Sequence, residues 1–149
     1  MVRKSGKISK ILDNLYLGNN YCASCKNDLT KLRIKSIVCI GCSPKFKDTF
    51  DYLEIHIRDK ETSDLSKYIE ISGKYIDDNL SKNNAVLVHC KAGISRSPSI
   101  IIAYLITYKK YSFNDAFEFV KLKRPTINPR QTFIEQLKML DNNEVISIQ

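Results

Sequence analysis

The strongest constraint on this chain is a change of secondary structure forced across one short loop. The run Asn84-Ala85-Val86-Leu87-Val88 is short, apolar and β-branched, the pattern of a buried strand. Beyond it, Ser97-Pro98-Ser99 opens the apolar stretch Ile100-Ile101-Ile102-Ala103-Tyr104-Leu105-Ile106, and a hydroxyl residue followed by proline predicts a helix start. Only His89-Cys90-Lys91-Ala92-Gly93-Ile94-Ser95-Arg96 separates the two. A buried strand that feeds directly into a buried helix needs a sheet with helices laid against it, so the segment points to an α/β fold.

The loop therefore sits where a helix presents its unpaired amides. Those N–H groups, with the positive end of the helix dipole, bind an oxyanion, and Arg96 can add a bidentate pair to two phosphate oxygens. Gly93 lets the loop take a dihedral that a side chain forbids. The same field favours a thiolate at Cys90, because helix N-termini and neighbouring cations lower cysteine pKa values. Nucleophile and target then share one electropositive pocket.

These residues match the pattern H-C-x-x-G-x-x-R-[ST], and Ala92-Gly93-Ile94-Ser95-Arg96-Ser97 resembles the dual-specificity branch of the cysteine-dependent protein tyrosine phosphatases. Asn14-Leu15-Tyr16-Leu17-Gly18 is similar to that family's N-L-Y-L-G segment, and Ala103-Tyr104-Leu105-Ile106 to its A-Y-L-M segment. Arg124-Pro125, with Pro129 and Phe133, resembles its R-P-x-x-x-P-x-x-x-F pattern. The resemblance runs from about residue 8 to 140 and implies a central, mostly parallel sheet of four or five strands with helices on both faces. Arg130 departs from the family, whose members often carry Asn after that proline. Two readings of Arg130 stand side by side, an extension of the basic surface toward substrate and a solvated arginine at a helix start.

Hydrophobic periodicity fills in the rest. Two short strands are expected at 8–11 and 15–17, a helix capped by Asn19 or Asn20 running to about Leu32, and strands at 35–40 and 52–57. Helices follow at 65–80, capped by Asp64 or Ser63, at 113–122, started by Ser112 or Asn114 and stopped by Pro125, and from Pro129 or Arg130 to about Leu140. At 149 residues, without repeat, low-complexity tract or linker, the chain reads as one domain, 1–149. No run approaches the roughly 18 apolar residues of a membrane span. Met1 to Lys7 has no apolar stretch behind it to make a signal peptide, and Val2 is not a myristoylation glycine, so a cytoplasmic protein, with the nucleus as an alternative, is expected rather than a secreted one.

Five cysteines without a secretory signal suit reduced thiols. Cys22-x-x-Cys25 and Cys39-x-x-Cys42 have the spacing of a zinc site, but the first falls in an expected helix and the second at a strand, so packed cysteines are the expectation and no metal is assigned. Expulsion of an ester oxygen needs a proton donor, and Asp59, Glu61 and Asp64 all lie on one loop upstream of Cys90. Ile55-His56-Ile57-Arg58-Asp59, with Leu65 following, resembles the family segment whose Asp is the general acid, which implies that role for Asp59. The resemblance further implies that Cys90 forms a cysteinyl-phosphate, that Lys91, Ala92, Gly93, Ile94, Ser95 and Arg96 cradle the phosphate, that Ser97 hydrogen-bonds the departing sulfur, and that His89 braces the loop. No cofactor is called for. Cys39 and Cys42, ending a strand beside the loop strand, are candidate disulfide partners for Cys90 on oxidation.

A net charge of +8 favours acidic partners, and the expected substrates are phosphorylated proteins, with phosphotyrosine and phosphoserine or phosphothreonine both admitted because so short a chain builds no deep wall. An inositol lipid or an RNA 5′-phosphate keeps the same chemistry on another substrate, and nucleic acid is the less favoured partner. A phosphate-binding module without activity is the alternative of another class; it is disfavoured because both Cys90 and Asp59 are present.

Overall fold

The computed structural model describes the backbone from Lys7 to Ile148 and the side chains from Lys7 to Asp141. Strands β1 (Ser9–Leu12) and β2 (Leu15–Gly18) form an antiparallel pair. β2 then lies parallel to β5 (Ala85–His89), β5 to β3 (Ile34–Ile40), and β3 to β4 (Asp51–Ile55), giving the order β1-β2-β5-β3-β4. The sheet thus has five strands, parallel except at its first pair. The strand that leads into the thiol loop is at its centre.

The two central strands are buried on both faces and sort their residues with a period of two. Ile37 and Cys39 of β3 and Ala85 and Leu87 of β5 face Leu29 of α1 (Lys26–Lys31), with Ala23 and Phe50. Val38, Ile40, Val86 and Val88 face the other way, toward α2 (Ser66–Ser81), α3 (Arg96–Lys109), α4 (Phe113–Lys123) and α5 (Gln131–Ile148). Helices therefore cover both faces, four on one side and one short one on the other. α3 is the pivot of the larger layer: Ile100 through Ile106 are all buried, and full burial of one such aliphatic side chain is worth about 1.5–3 kcal/mol.

Several boundaries differ from expectation, and for the first two the cause is a contact made elsewhere in the fold. The helix expected from Asn19 or Asn20 to Leu32 is broken into a 3-10 turn, Cys22–Ser24, and α1, with Cys25 between them at φ −100° and ψ 87°. Asn19 Oδ1 accepts the Cys22 N–H at 2.9 Å, while the Asn20 N–H donates to Lys91 O at 3.0 Å, which bends the segment onto the thiol loop. β4 ends at Ile55 rather than Ile57, because the His56 and Ile57 carbonyls accept from the Tyr68 hydroxyl and the Arg96 guanidinium. α3 starts at Arg96 rather than at Ser97, and α5 runs on past Leu140. Elsewhere Ser112 caps α4 as anticipated, its Oγ accepting the Asp115 N–H at 3.1 Å, whereas the residue at the cap of α2 is Leu65, without a side-chain cap, and Asp64 one residue further out accepts the Ser66 N–H at 3.0 Å through Oδ1.

Candidate active site

β5 brings His89 to the carboxyl edge of the sheet and α3 begins at Arg96, leaving residues 90–95 to turn between them. Cys90 is buried at the base of this turn. Its Sγ accepts the N–H groups of Gly93 at 3.3 Å and Ser97 at 3.5 Å, and lies 3.1 Å from Ser97 Oγ. Three loop carbonyls are bonded outward: Lys91 O accepts from Asn20 N at 3.0 Å, Gly93 O from Arg124 Nε at 3.0 Å, and Ile94 O from Asn128 N at 2.7 Å. In a planar trans peptide the C=O and the following N–H point opposite ways. Those anchors therefore aim the N–H groups of Ala92, Ile94 and Ser95 away from the outer wall, so that the loop forms an amide-lined cup.

Glycine is needed where the loop meets that wall. Gly93 has φ +69°, and a Cβ there would fall 2.7 Å from both Gly18 O and Arg124 Nη2. Arg124 is itself buried, and its Nη1 donates to Ser9 Oγ at 3.0 Å as well as to Lys7 O. It acts as a strut for the loop. Arg96 is half-buried, and its Nη1 donates to Ile57 O at 3.0 Å, which fixes the guanidinium beside the cup. Gly41, at φ +67°, leaves room for it; a Cβ there would run into the Arg96 guanidinium.

Asp59 reaches the loop from the segment after β4. Its Oδ1 accepts from Ser95 Oγ at 2.9 Å and from Arg130 Nε at 3.2 Å, and its backbone carbonyl accepts from Arg130 Nη2 at 2.6 Å. Of the loop's other carboxylates, Asp64 is turned away and is held below its ordinary pKa by the Ser66 hydroxyl and N–H, while Glu61 is exposed on the rim of the recess beside Asp59. Arg130 is therefore not a merely solvated arginine at a helix start: it is an ion-pair partner of Asp59 on the wall of that recess. Neither Arg130 nor the strut Arg124 nor Gly41 carries a local mark of its role, since each acts on residues distant in the chain.

His89 is buried, with Nδ1 3.3 Å from Cys90 O, and burial holds its pKa down to about 4, so the ring is neutral near pH 7. None of the cysteines outside the loop is in a disulfide. Cys39 lies opposite His89 in the β3–β5 register, its thiol is pushed up to about 12 chiefly by burial, and its Sγ donates to Cys42 O at 3.0 Å. It is a protonated, inert thiol. Cys42 is less buried, and its thiol too is raised, by burial and by the nearby Cys90. Among the described residues no three His, Cys, Asp or Glu side chains are grouped to hold a metal ion, and no helix is long and apolar enough to cross a membrane.

A thiol at the base of an amide cup, with a carboxylate bonded to the cup's far lip, is consistent with the resemblance to the cysteine-dependent phosphatases. Comparison with known proteins carries the assignment to a branch. The model of the dual specificity phosphatase catalytic domain matches residues 15–143, and the chain belongs to that family. It is 36% identical over 135 residues to dual specificity protein phosphatase 1-A of Xenopus laevis, covering 89% of this chain and 37% of that protein. It is 38% identical over 135 residues to putative tyrosine phosphatase 123R of Invertebrate iridescent virus 6, covering 89% of this chain and 91% of that one. The crystal structure of the human tyrosine phosphatase-like serine/threonine/tyrosine-interacting protein superposes with a TM-score of 0.87 at 32% identity, covering 95% of this chain and 98% of the other. The chain accordingly spans a little over a third of the Xenopus relative and most of the viral one.

Proposed function

We propose that this chain is a protein phosphatase that hydrolyses phosphotyrosine and phosphoserine or phosphothreonine through a cysteinyl-phosphate. The observation that carries this reading is the 2.9 Å bond from Ser95 Oγ to Asp59 Oδ1, which ties the candidate acid to the same loop that holds the candidate nucleophile. In the first step the Cys90 thiolate attacks phosphorus, the S–P bond forms and the P–O ester bond breaks. The electron pair leaves on the ester oxygen, which takes a proton from Asp59. Arg96 and the loop amides from Lys91 to Arg96 bind the other three oxygens.

In the second step Asp59, now a carboxylate, takes a proton from water as the water oxygen attacks phosphorus. The P–S bond breaks, and the sulfur leaves as a thiolate stabilised by the Ser97 hydroxyl and N–H. Neutral His89 braces the Cys90 carbonyl throughout. Side chains and water complete each step, so the scheme calls for no cofactor.

Lys91, Ala92 and Ile94 form an exposed rim, with Ile94 40% exposed, which supports access by the short serine ester as well as the tyrosine ester. The net charge of +8 supports acidic phosphoproteins as partners, and five cysteines, none of them in a disulfide, support a reducing compartment, the cytoplasm or the nucleus. The test compares wild type, Cys90→Ser and Asp59→Asn on a phosphotyrosine peptide, a phosphothreonine peptide, an inositol phospholipid and a triphosphorylated RNA. Turnover of both peptides, abolished by Cys90→Ser, is expected. Turnover of only the lipid or the RNA overturns the substrate class, and phosphate release by Cys90→Ser overturns the mechanism.

A further inference from the structure

Asp59 is held by a closed ring of bonds that joins three separate parts of the chain. Ser95 Oγ donates to Asp59 Oδ1 at 2.9 Å and accepts the Arg130 N–H at 2.9 Å, while Arg130 Nε returns to Asp59 Oδ1 at 3.2 Å. Arg130 Nη2 takes the backbone carbonyl of the same aspartate at 2.6 Å. The segment that carries Arg130 is stitched to the phosphate loop a second time two residues earlier, where the Asn128 N–H donates to Ile94 O at 2.7 Å, and Pro129 between them sets its own φ. Backbone and side chain of Arg130 are thus both anchored, one to the phosphate loop and the other to the acid loop.

The geometry at the carboxyl group is asymmetric. Both side-chain donors fall on Oδ1, and Oδ2 takes neither. We infer that Arg130 is a positioning residue for the proton transfer, holding Asp59 by Oδ1 so that Oδ2 is the oxygen that carries the proton to the leaving group and later accepts one from water. This rests on the reading of Asp59 as the general acid given above.

The pair's exposure argues for position over stability. The Arg130 and Asp59 side chains are 34% and 37% exposed, and ion pairs that wet contribute little to folding. Glu61 and Glu135 line the same recess, yet the guanidinium is bonded to Asp59. An arginine suits this task better than a lysine, because two nitrogens of one rigid plane engage the carboxylate and the carbonyl together and so fix the direction of the carboxyl group as well as its distance.

The test uses kcat/KM, which covers only the steps through expulsion of the ester oxygen, on p-nitrophenyl phosphate and on phenyl phosphate. The second leaving group is much the poorer and needs the acid. Arg130→Ala is expected to lower kcat/KM for phenyl phosphate on the order of tenfold and for p-nitrophenyl phosphate by less than about twofold, since misplacing a general acid forfeits part of a contribution of roughly 10²–10⁴. In an Asp59→Asn background the same substitution is expected to change neither rate. Arg130→Lys, which keeps the charge and loses the fork, is expected to fall between, and it runs the same comparison should Arg130→Ala not fold. An equal loss on both esters, an undiminished loss in the Asp59→Asn background, or no loss at all overturns the inference. Should Asp59→Asn itself lose no more on phenyl phosphate than on p-nitrophenyl phosphate, the acid assignment is what fails.

Discussion

Ser97 Oγ lies 3.1 Å from Cys90 Sγ, and the Ser97 N–H points at the same atom, so this residue meets the sulfur rather than the phosphate. Under the proposed mechanism its contribution belongs to the step in which sulfur leaves with an electron pair. A hydrogen bond to a charged group is worth about 1.5–3 kcal/mol, or roughly 10- to 100-fold in rate. Ser97→Ala is therefore expected to lower kcat about tenfold while kcat/KM changes by less than about threefold, with cysteinyl-phosphate accumulating in acid-quenched turnover; equal loss in both constants would place Ser97 in the first step instead. Gly41 tests the other side of the cup. A Cβ there meets the Arg96 guanidinium at a left-handed φ of +67°, so Gly41→Ala is expected to destabilise the fold by about 1 kcal/mol or more and to raise KM by displacing Arg96. An unchanged KM alongside an unchanged melting temperature would show that Arg96 has slack to move.

α5 does for the acid loop what β5 and α3 do for the thiol loop. Gln136 Oε1 accepts the Leu65 N–H at 2.7 Å and its Nε2 donates to Ser63 O at 3.1 Å, pinning both strands of the turn that follows Asp59. Gln136→Ala leaves these part-buried backbone groups without that partner, at a cost of about 1–3 kcal/mol. A lower melting temperature and faster amide exchange at Leu65 are expected, and exchange at wild-type rate would refute the pin. Contacts of this kind mark where sequence stops being informative. The thiol loop is legible because its cysteine, glycine, arginine and hydroxyl fall within one local turn whose flanks announce a strand and a helix. Asp59 is legible only through resemblance, since Glu61 and Asp64 share its loop and chemistry. The roles of Arg124, Arg130 and Gln136 come from contacts between residues far apart in the chain, which local periodicity does not encode. The break at Cys25 escaped for the same reason: the bond from Asn20 N to Lys91 O that bends this segment is long-range.

At the scale of the whole molecule, His89 links the site to stability, because it ends the strand on which the rest of the sheet is assembled. β5 lies between β2 and β3, and His89 pairs with Gly18 on one side and Cys39 on the other. Burial holds its pKa at about 4 in the folded chain, against 6.5 when unperturbed. Between these two values the unfolded chain binds a proton at His89 that the folded chain does not, so stability falls as pH drops through the window and this group adds no further loss below about 4. The full effect is on the order of 3 kcal/mol. Carboxylates held low in the fold, such as Asp64 beside Ser66, act with the same sign at the acid end, so wild type alone does not isolate the histidine. The decisive comparison sets urea midpoints of wild type against His89→Asn at pH 7 and pH 4.5. Wild type is expected to lose roughly 2–3 kcal/mol more over that interval than the variant, whose side chain does not titrate. Parallel losses would mean that the histidine takes up its proton in the folded sheet as readily as in the unfolded chain, and that burial does not hold it neutral.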